Sequence, residues 1–98
     1  MSNAVFLNSY KLKKGASVPD FLLAVDKLLE HTSKLEGFIS FKLLRDGDTW
    51  TDYAIFETMD DAKNFAETGA PKDLAEKFYS FLNFNTCKSH FFSVERSY

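Results

Sequence analysis

The chain has 98 residues, of which 45% are hydrophobic and 27% are charged, a composition typical of a folded globular protein. Its net charge of −2 and isoelectric point near 5.6 argue against nucleic-acid binding, which needs a clustered excess of Lys and Arg. Because no apolar run approaches the roughly 20 residues of a membrane span and the single cysteine, Cys87, fits a reducing compartment, we expect a cytoplasmic protein without a membrane partner.

The length predicts one domain over residues 1–98. Residues 1–4 resemble either an expression-tag remnant or a disordered start. Phenylalanine is unusually frequent, with 11 residues, which is more than a core of this size needs. We therefore expect part of the aromatic surface to line a pocket or a subunit interface.

The first predicted element is a strand from Ala4 to Leu12, because apolar and polar residues alternate there. One face of this strand carries Phe6, Asn8 and Tyr10, and the other carries Val5, Leu7 and Ser9. Asn8 is the polar exception on the face that we expect the helices to cover.

A helix is predicted next. Ser17, followed three residues later by Asp20, is typical of a helix N-terminus, and Pro19 is tolerated in the first turn. The buried stripe of this helix has helical spacing and comprises Val18, Phe21, Leu22, Val25, Leu28 and Leu29. The helix is expected to end around Lys34, before Gly37.

A hairpin follows, with strands at residues 38–45 and 50–57 and a turn at residues 46–48. On the second strand, one face carries Trp50, Asp52, Ala54 and Phe56, and the opposite face carries Thr51, Tyr53 and Ile55. Both faces hold bulky residues, which is typical of a sheet that is covered on both sides.

Two helical segments and a strand complete the chain. Thr58 with Asp61 predicts a helix cap, and this short helix should end near Gly69. After Pro71, a second stripe falls at spacings of three and four residues: Leu74, Ala75, Phe78, Phe81 and Leu82. A break at residues 83–85 then precedes a closing strand at residues 87–94.

This β-α-β-β-α-β order predicts an α+β, ferredoxin-like fold, in which the helices cover one face of an antiparallel four-stranded sheet. The other face carries apolar residues that also need cover: Val5, Leu7, Tyr53 and Ile55. Self-association into a homodimer is the simplest way to bury them.

Four segments carry a family resemblance: YKLKKG at residues 10–15, LEGFIS at 35–40, LLRD at 43–46 and IFETMDDAK at 55–63. They resemble the antibiotic-biosynthesis monooxygenase type of dimeric α/β barrel. The resemblance implies a homodimer with a pocket between the sheet and the helices of each subunit. It also implies a range of activities, from cofactor-independent oxygenation of aromatic polyketides to heme degradation.

Heme-degrading members of that family use an Asn on the first strand, a Trp at the end of the third strand and a His in the second helical region. Asn8 matches the first position, but Phe56 stands at the Trp position and residues 60–83 contain no His. We therefore expect no heme and no other cofactor. The two histidines, His31 and His90, have no metal-ligand spacing, so no metal site is expected either.

The candidates for catalysis are Asn8, Trp50 and His90. The candidates for substrate contact are Tyr10, Asp52, Phe56, Phe65 and Phe78. An amide such as that of Asn8 must find hydrogen bonds when buried, either from the protein or from a ligand. An indole donor and a carboxylate near a pocket could orient a substrate, or they could simply pack.

Together these features predict a protein that binds a small hydrophobic or aromatic ligand, as a cofactor-independent monooxygenase in which Asn8 or Trp50 stabilises a substrate oxyanion. The main alternative is a non-enzymatic dimeric module with a stress-response or ligand-sensing role. A heme-degrading monooxygenase and a muconolactone-type isomerase, with His90 as the base, are further alternatives.

Overall fold

A computed structural model describes residues 2–98, and in this part of the chain three helices pack on a four-stranded antiparallel sheet. The elements are β1 (Ala4–Leu12), α1 (Val18–Thr32), β2 (Phe38–Asp46), β3 (Thr49–Phe56), α2 (Met59–Thr68), α3 (Lys72–Tyr79) and β4 (Leu82–Ser93). The strand order is β2-β3-β1-β4. The predicted ferredoxin-like α+β fold is confirmed, with the second helical region divided into two helices. Met1 lies outside the described residues.

The start of α1 is capped as predicted, since the Asp20 backbone N–H donates to the Ser17 hydroxyl at 3.3 Å. The helix ends at Thr32, and Gly37 then takes a φ of +78° before β2. A side chain at Gly37 would collide with the Asp61 carboxylate of α2. Glycine is therefore required there both for the backbone angle and for the close approach of α2.

The β2-β3 hairpin turns at Gly47, which has a φ of +61°. On β3 the alternation is complete, because Trp50, Asp52, Ala54 and Phe56 are all buried while the residues between them are half-buried. Each strand residue therefore faces the side of the sheet that its period-two position predicts.

The predicted end of the second helical region is wrong. The helical stripe was expected to run to Leu82 and the last strand to begin at Cys87, but α3 ends at Tyr79 and β4 begins at Leu82. Leu82 is fully buried and pairs with Leu12 of β1. A strand residue that enters the same core as the preceding helix continues its apolar spacing, so the pattern alone does not show where the helix stops.

Residues 84–87 of β4 form a bulge opposite Tyr10. Pairing with β1 runs through Lys11 and Asn83, is interrupted, and resumes at Ser9 and Lys88. The Thr86 hydroxyl accepts the Lys11 backbone N–H at 2.9 Å, which satisfies a donor that the interrupted ladder leaves free. The predicted break at residues 83–85 thus corresponds to an irregular part of the strand.

All three helices cover the same face of the sheet, here called the covered face. Under α1 and α3 lies one cluster of buried residues: Tyr10, Phe21, Val25, Leu28, Trp50, Phe78 and Leu82. Under α2 lies a second: Ala4, Phe6, Ala54, Phe56 and Ala62. None of the helices in residues 2–98 has the length and apolar character needed to span a membrane.

The opposite side of the sheet, here called the open face, has no helix of residues 2–98 above it. The strand pairing brings together on this face Val5, Leu7, Ser9, Leu44, Thr51, Tyr53, Ile55, His90 and Phe92. Leu7, Tyr53 and Ile55 are half-buried. Leu44 and Phe92 are 44% and 47% exposed, so the open face retains apolar surface in the isolated chain.

Candidate functional site

A pocket lies between the covered face and the helices. The cavity itself is about 60 Å³, and the empty space around it, which includes solvent at its mouth, is about 550 Å³. The sheet supplies Phe6, Asn8, Phe41 and Asp52, α1 supplies Val25, Leu28 and Leu29, and the region from α2 to α3 supplies Phe65, Ala66, Ala70, Ala75, Phe78 and Tyr79. An apolar pocket with a few polar groups at its base is the usual form of a small-molecule site.

The polar groups at the base of the pocket are Asn8 and Asp52, which stand directly opposite each other on β1 and β3. Asn8 is 8% exposed and Asp52 is 6% exposed. Asn8 has a partner on β4, since the Ser89 hydroxyl donates to Asn8 Oδ1 at 2.9 Å. Because its oxygen accepts this bond, the Asn8 amide nitrogen faces Asp52 and, with two hydrogens, can donate both to Asp52 and into the pocket.

Asp52 is held from behind by Tyr10, whose hydroxyl donates to Asp52 Oδ1 at 2.7 Å. Burial raises the pKa of Asp52 to about 7, although the hydrogen bonds from Tyr10 and Asn8 act in the opposite direction. Burial and the nearby Asp52 charge raise the pKa of Tyr10, so its hydroxyl stays protonated and remains a donor. The carboxyl group of Asp52 can therefore gain and lose a proton near neutral pH.

The ion pairs in residues 2–98 lie at the surface, Lys11 with Asp48 at 3.6 Å and Lys72 with Glu76 at 3.8 Å. Neither involves Asp52, so its negative charge is balanced by hydrogen bonds rather than by a cation. A buried carboxylate without a cation is costly in free energy, and such groups are concentrated at functional sites.

Two further groups near Asp52 have raised pKa values. Burial raises the pKa of Tyr79, which is 41% exposed at the pocket mouth. Burial also raises the pKa of Cys87. The thiol of Cys87 is thus kept in its protonated form, which is a poor nucleophile.

Four of the predicted site residues line the pocket together: Asn8, Asp52, Phe65 and Phe78. Tyr10 lies behind Asp52 and reaches the pocket through their hydrogen bond. Phe56 packs into the cluster under α2, with its ring centroid 5.3 Å from that of Phe65, and supports the pocket wall rather than forming it.

Trp50 is buried in the cluster under α1 and α3, away from the pocket lining. Its ring meets that of Phe21 at a centroid distance of 5.2 Å, and the Arg45 guanidinium lies 4.5 Å from its centroid. Trp50 is therefore a packing residue, and the structure does not bring it together with Asn8.

His90 lies on the open face, where it pairs with Leu7 and stacks on Phe92 at a ring distance of 5.5 Å. Its neighbour Ser89 is the residue that faces Asn8. His90 and the pair of Asn8 and Asp52 are therefore on opposite sides of the sheet, and His90 cannot act as a base in this pocket.

Sequence reasoning missed Ser89 and Tyr79. The role of Ser89 depends on the pairing of β4 with β1, which the bulge at residues 84–87 sets. Tyr79 directly follows Phe78, and its place at the pocket mouth depends on the end of α3. Neither position has a local sequence signal. In residues 2–98, no three His, Cys, Asp or Glu side chains come together as a metal site would require.

A sheet with helices on one face and a polar pair beneath them defines a small α+β protein with a ligand pocket. The family model for antibiotic biosynthesis monooxygenases matches residues 4–77. Because this match covers most of the chain, the protein belongs to the antibiotic biosynthesis monooxygenase family.

Solved structures share the fold at low sequence identity. A cofactor-independent oxygenase from Streptomyces nogalater, SnoaB, superposes with a TM-score of 0.82 at 13% identity, covering 99% of this chain and 97% of its own. A protein of unknown function from Nitrosomonas europaea gives 0.77 at 11% identity, covering 100% and 94%. A conserved protein from Methanosarcina mazei Go1 gives 0.75 at 14%, covering 94% and 92%. Comparison with the curated proteins gives no significant match.

Proposed function

We propose that the protein binds a small aromatic molecule in this pocket and acts as a cofactor-independent monooxygenase. The observation that carries the proposal is the buried pair of Asn8 and Asp52 at the base of an apolar pocket. Membership of the monooxygenase family supports the reaction class. The apolar walls supply what such chemistry needs, an environment that excludes water and orients a flat ligand.

In a reaction of this class the substrate itself supplies the electrons. An activated CH₂ group next to hydroxylated rings loses a proton, and the resulting anion reduces O₂. One oxygen atom forms the new carbonyl group, and the other leaves as water with the two hydrogens of the CH₂ group. The balance needs no external reductant, so the contribution of the protein is to bind the substrate, remove its water shell and stabilise negative charge.

Asn8 is the residue proposed to stabilise that charge. Its oxygen is engaged by Ser89, which orients the amide nitrogen as a donor at the base of the pocket. A preorganised donor of this kind is typically worth about 100-fold to 1,000-fold in rate. Trp50, the other candidate for this role, lies in the core and is not part of the proposal.

The test is oxygen uptake with a hydroxylated anthrone as the probe substrate. The wild-type protein is expected to accelerate uptake over buffer, and Asn8→Ala to reduce the acceleration by about 100-fold or more. Asn3→Ala, at an exposed position outside the pocket, is the matched control and should behave as the wild type. If the wild type does not accelerate uptake for any hydroxylated anthrone, the oxygenase proposal is wrong.

The free space in the pocket favours a second candidate, a non-enzymatic ligand-sensing module. The cavity has a volume of only about 60 Å³, so a ligand of several rings has to displace part of the helical cover. A sensor would use that displacement as its signal. It predicts saturable binding and changed hydrogen exchange in α3, without oxygen uptake.

We also propose that a second copy of the chain covers the open face. Leu7, Tyr53 and Ile55 lie there on the central strands β1 and β3, and Phe92 extends the apolar surface onto β4. A twofold arrangement places the same apolar residues against themselves. Sedimentation at micromolar concentration should report about twice the chain mass of 11.2 kDa.

A further inference from the structure

We propose that Asp52 accepts the proton of a ligand hydroxyl group at the base of the pocket, and that Tyr10 is the residue that positions its carboxylate. The inference deepens the proposed function and rests on it for the later steps, the loss of the CH₂ proton and the reaction with O₂. It assigns to Asp52 a catalytic role beyond substrate contact, and to Tyr10 a role outside the pocket lining.

The geometry gives Asp52 spare capacity to accept a hydrogen bond. A carboxylate has about four lone-pair sites, and the hydrogen bonds from Tyr10 and Asn8 fill two of them. The side chain lines the pocket at the same time, directly across from Asn8. A ligand hydroxyl at this point would meet a proton acceptor on β3 and an amide donor on β1.

The surroundings of Asp52 hold no balancing charge in the described residues. The titratable groups near it are the neutral Tyr10 on β1, Tyr79 on α3 and Cys87 on β4. The pocket residues from β2, α1 and α2 are apolar: Phe41, Val25, Leu28, Leu29, Phe65 and Ala66. A residue that served only for packing would be apolar, because burying a carboxyl group costs desolvation free energy. We therefore attribute the carboxyl group at position 52 to ligand binding.

The proton balance is simple. The O–H bond of the ligand breaks, its electron pair remains on the ligand oxygen, and the proton forms a new O–H bond on Asp52. With a pKa of about 7, the carboxyl group is partly ionised at neutral pH and can both accept and return the proton. The Asn8 amide then donates to the new oxyanion. A ligand with a carboxylate at this end would be repelled by ionised Asp52, so the site selects an uncharged hydroxyl group.

The experiment measures binding of β-naphthol and of its methyl ether by fluorescence titration, from about pH 5 to about pH 8. Ionised Asp52 accepts a charge-assisted hydrogen bond from the naphthol only, so the wild type should prefer naphthol by about tenfold at the higher pH. The preference should shrink as Asp52 becomes protonated. Asp52→Asn should lose most of the preference and all of its pH dependence.

Tyr10→Phe tests the positioning role. The hydroxyl of Tyr10 favours the charged form of Asp52, so its removal should move the midpoint of the pH dependence upward, an effect that lost packing alone does not produce. Asp46→Asn, at an exposed position on the hairpin, is the control for charge and should match the wild type. Circular dichroism of each variant shows whether it is folded.

The inference is overturned if the wild type does not bind naphthol more tightly than the ether, or if folded Asp52→Asn keeps the preference. An unchanged midpoint in Tyr10→Phe overturns the role of Tyr10. Oxygen uptake separates this inference from the proposed function. If the Asp52-dependent preference holds while no hydroxylated anthrone consumes oxygen, the oxygenase proposal fails and Asp52 remains the acceptor in a binding site.

Discussion

The covered face and the open face of the sheet are made of alternate residues of the same strands, yet they differ in chemistry. The covered face combines large aromatic residues with a buried carboxyl and a buried amide, Asp52 and Asn8. The open face carries a group of apolar residues on the central strands, with Lys42 and Lys88 on the outer strands beside them, and it holds a hydroxyl pair, Ser9 with Thr51 at 2.7 Å. Period-two alternation thus lets two adjacent strands carry a pocket on one side and, on the other, the surface proposed for self-association.

The covered face also explains how Asp52 is held in place. The ring of Tyr10 packs against those of Phe21 and Phe78, at centroid distances of 6.1 and 5.9 Å. These edge contacts fix the ring, and the ring fixes the hydroxyl that binds Asp52.

Phe21→Ala should cause the largest loss of stability. The side chain is fully buried and touches the rings of Trp50 and Phe78, so its removal should lower the free energy of unfolding by about 3–5 kcal/mol. Urea unfolding measures the change. Leu23→Ala on the same helix, at a residue that is 53% exposed, should change it by less than about 1 kcal/mol. Equal effects would mean that the covered face is not the core.

Ile55→Lys should break the open face without entering the pocket. In the proposed dimer, a lysine at the centre of the open face leaves a charge without a partner, so the dissociation constant should rise by about 100-fold, or about 3 kcal/mol. Leu22→Lys is the matched control, since Leu22, which the helical spacing predicted to be buried, lies on the outer side of α1 and is 39% exposed. Analytical ultracentrifugation compares the two. A dimer equally stable in both variants would place the interface elsewhere.

The buried carboxyl of Asp52 should make stability depend on pH. Its pKa is about 7 in the folded chain against an ordinary value of 3.8, so the folded state retains a proton that the unfolded state releases. Stability should therefore fall as the pH rises between these values and level off above about 7. Between about pH 5 and about pH 8 the loss should be on the order of 2–3 kcal/mol.

Asp52→Asn removes this titration, so the variant should be more stable than the wild type above about pH 7 even though it lacks the proposed proton acceptor. Asp46→Asn controls for the general loss of one carboxylate. If chemical denaturation gives the same pH dependence of stability for the wild type and Asp52→Asn, the pKa of Asp52 is not raised in the folded chain.

Ser89→Ala should give the smallest effect. It removes the hydroxyl that orients the Asn8 amide, a single partly exposed hydrogen bond worth about 0.5–1 kcal/mol. Ser93→Ala, further along the same strand, is the control. Because the lost bond orients a pocket residue, naphthol binding should weaken in Ser89→Ala but not in Ser93→Ala. If naphthol binding weakens in Ser93→Ala but not in Ser89→Ala, the hydrogen bond from Ser89 has no role in the pocket.

The sequence alone determined most of the fold and part of the site. The caps at Ser17 and Thr58, the turn glycines and the alternation on β1 and β3 are local signals, which act within about four residues and predicted the elements and their faces. They placed Asn8 and Asp52 on the face that the helices cover, because alternate residues of a strand lie on the same face of the sheet.

Only the tertiary structure decided which of these residues meet. The start of β4 and its bulge set the pairing that brings Ser89 to Asn8 and turns His90 to the open face, and those partners lie about 80 residues apart in the chain. The hydrogen bond from Tyr10 to Asp52 and the burial that raises the pKa of Asp52 likewise depend on packing between distant elements. Local sequence patterns do not encode such contacts, because the free energy that selects them comes from the assembled core.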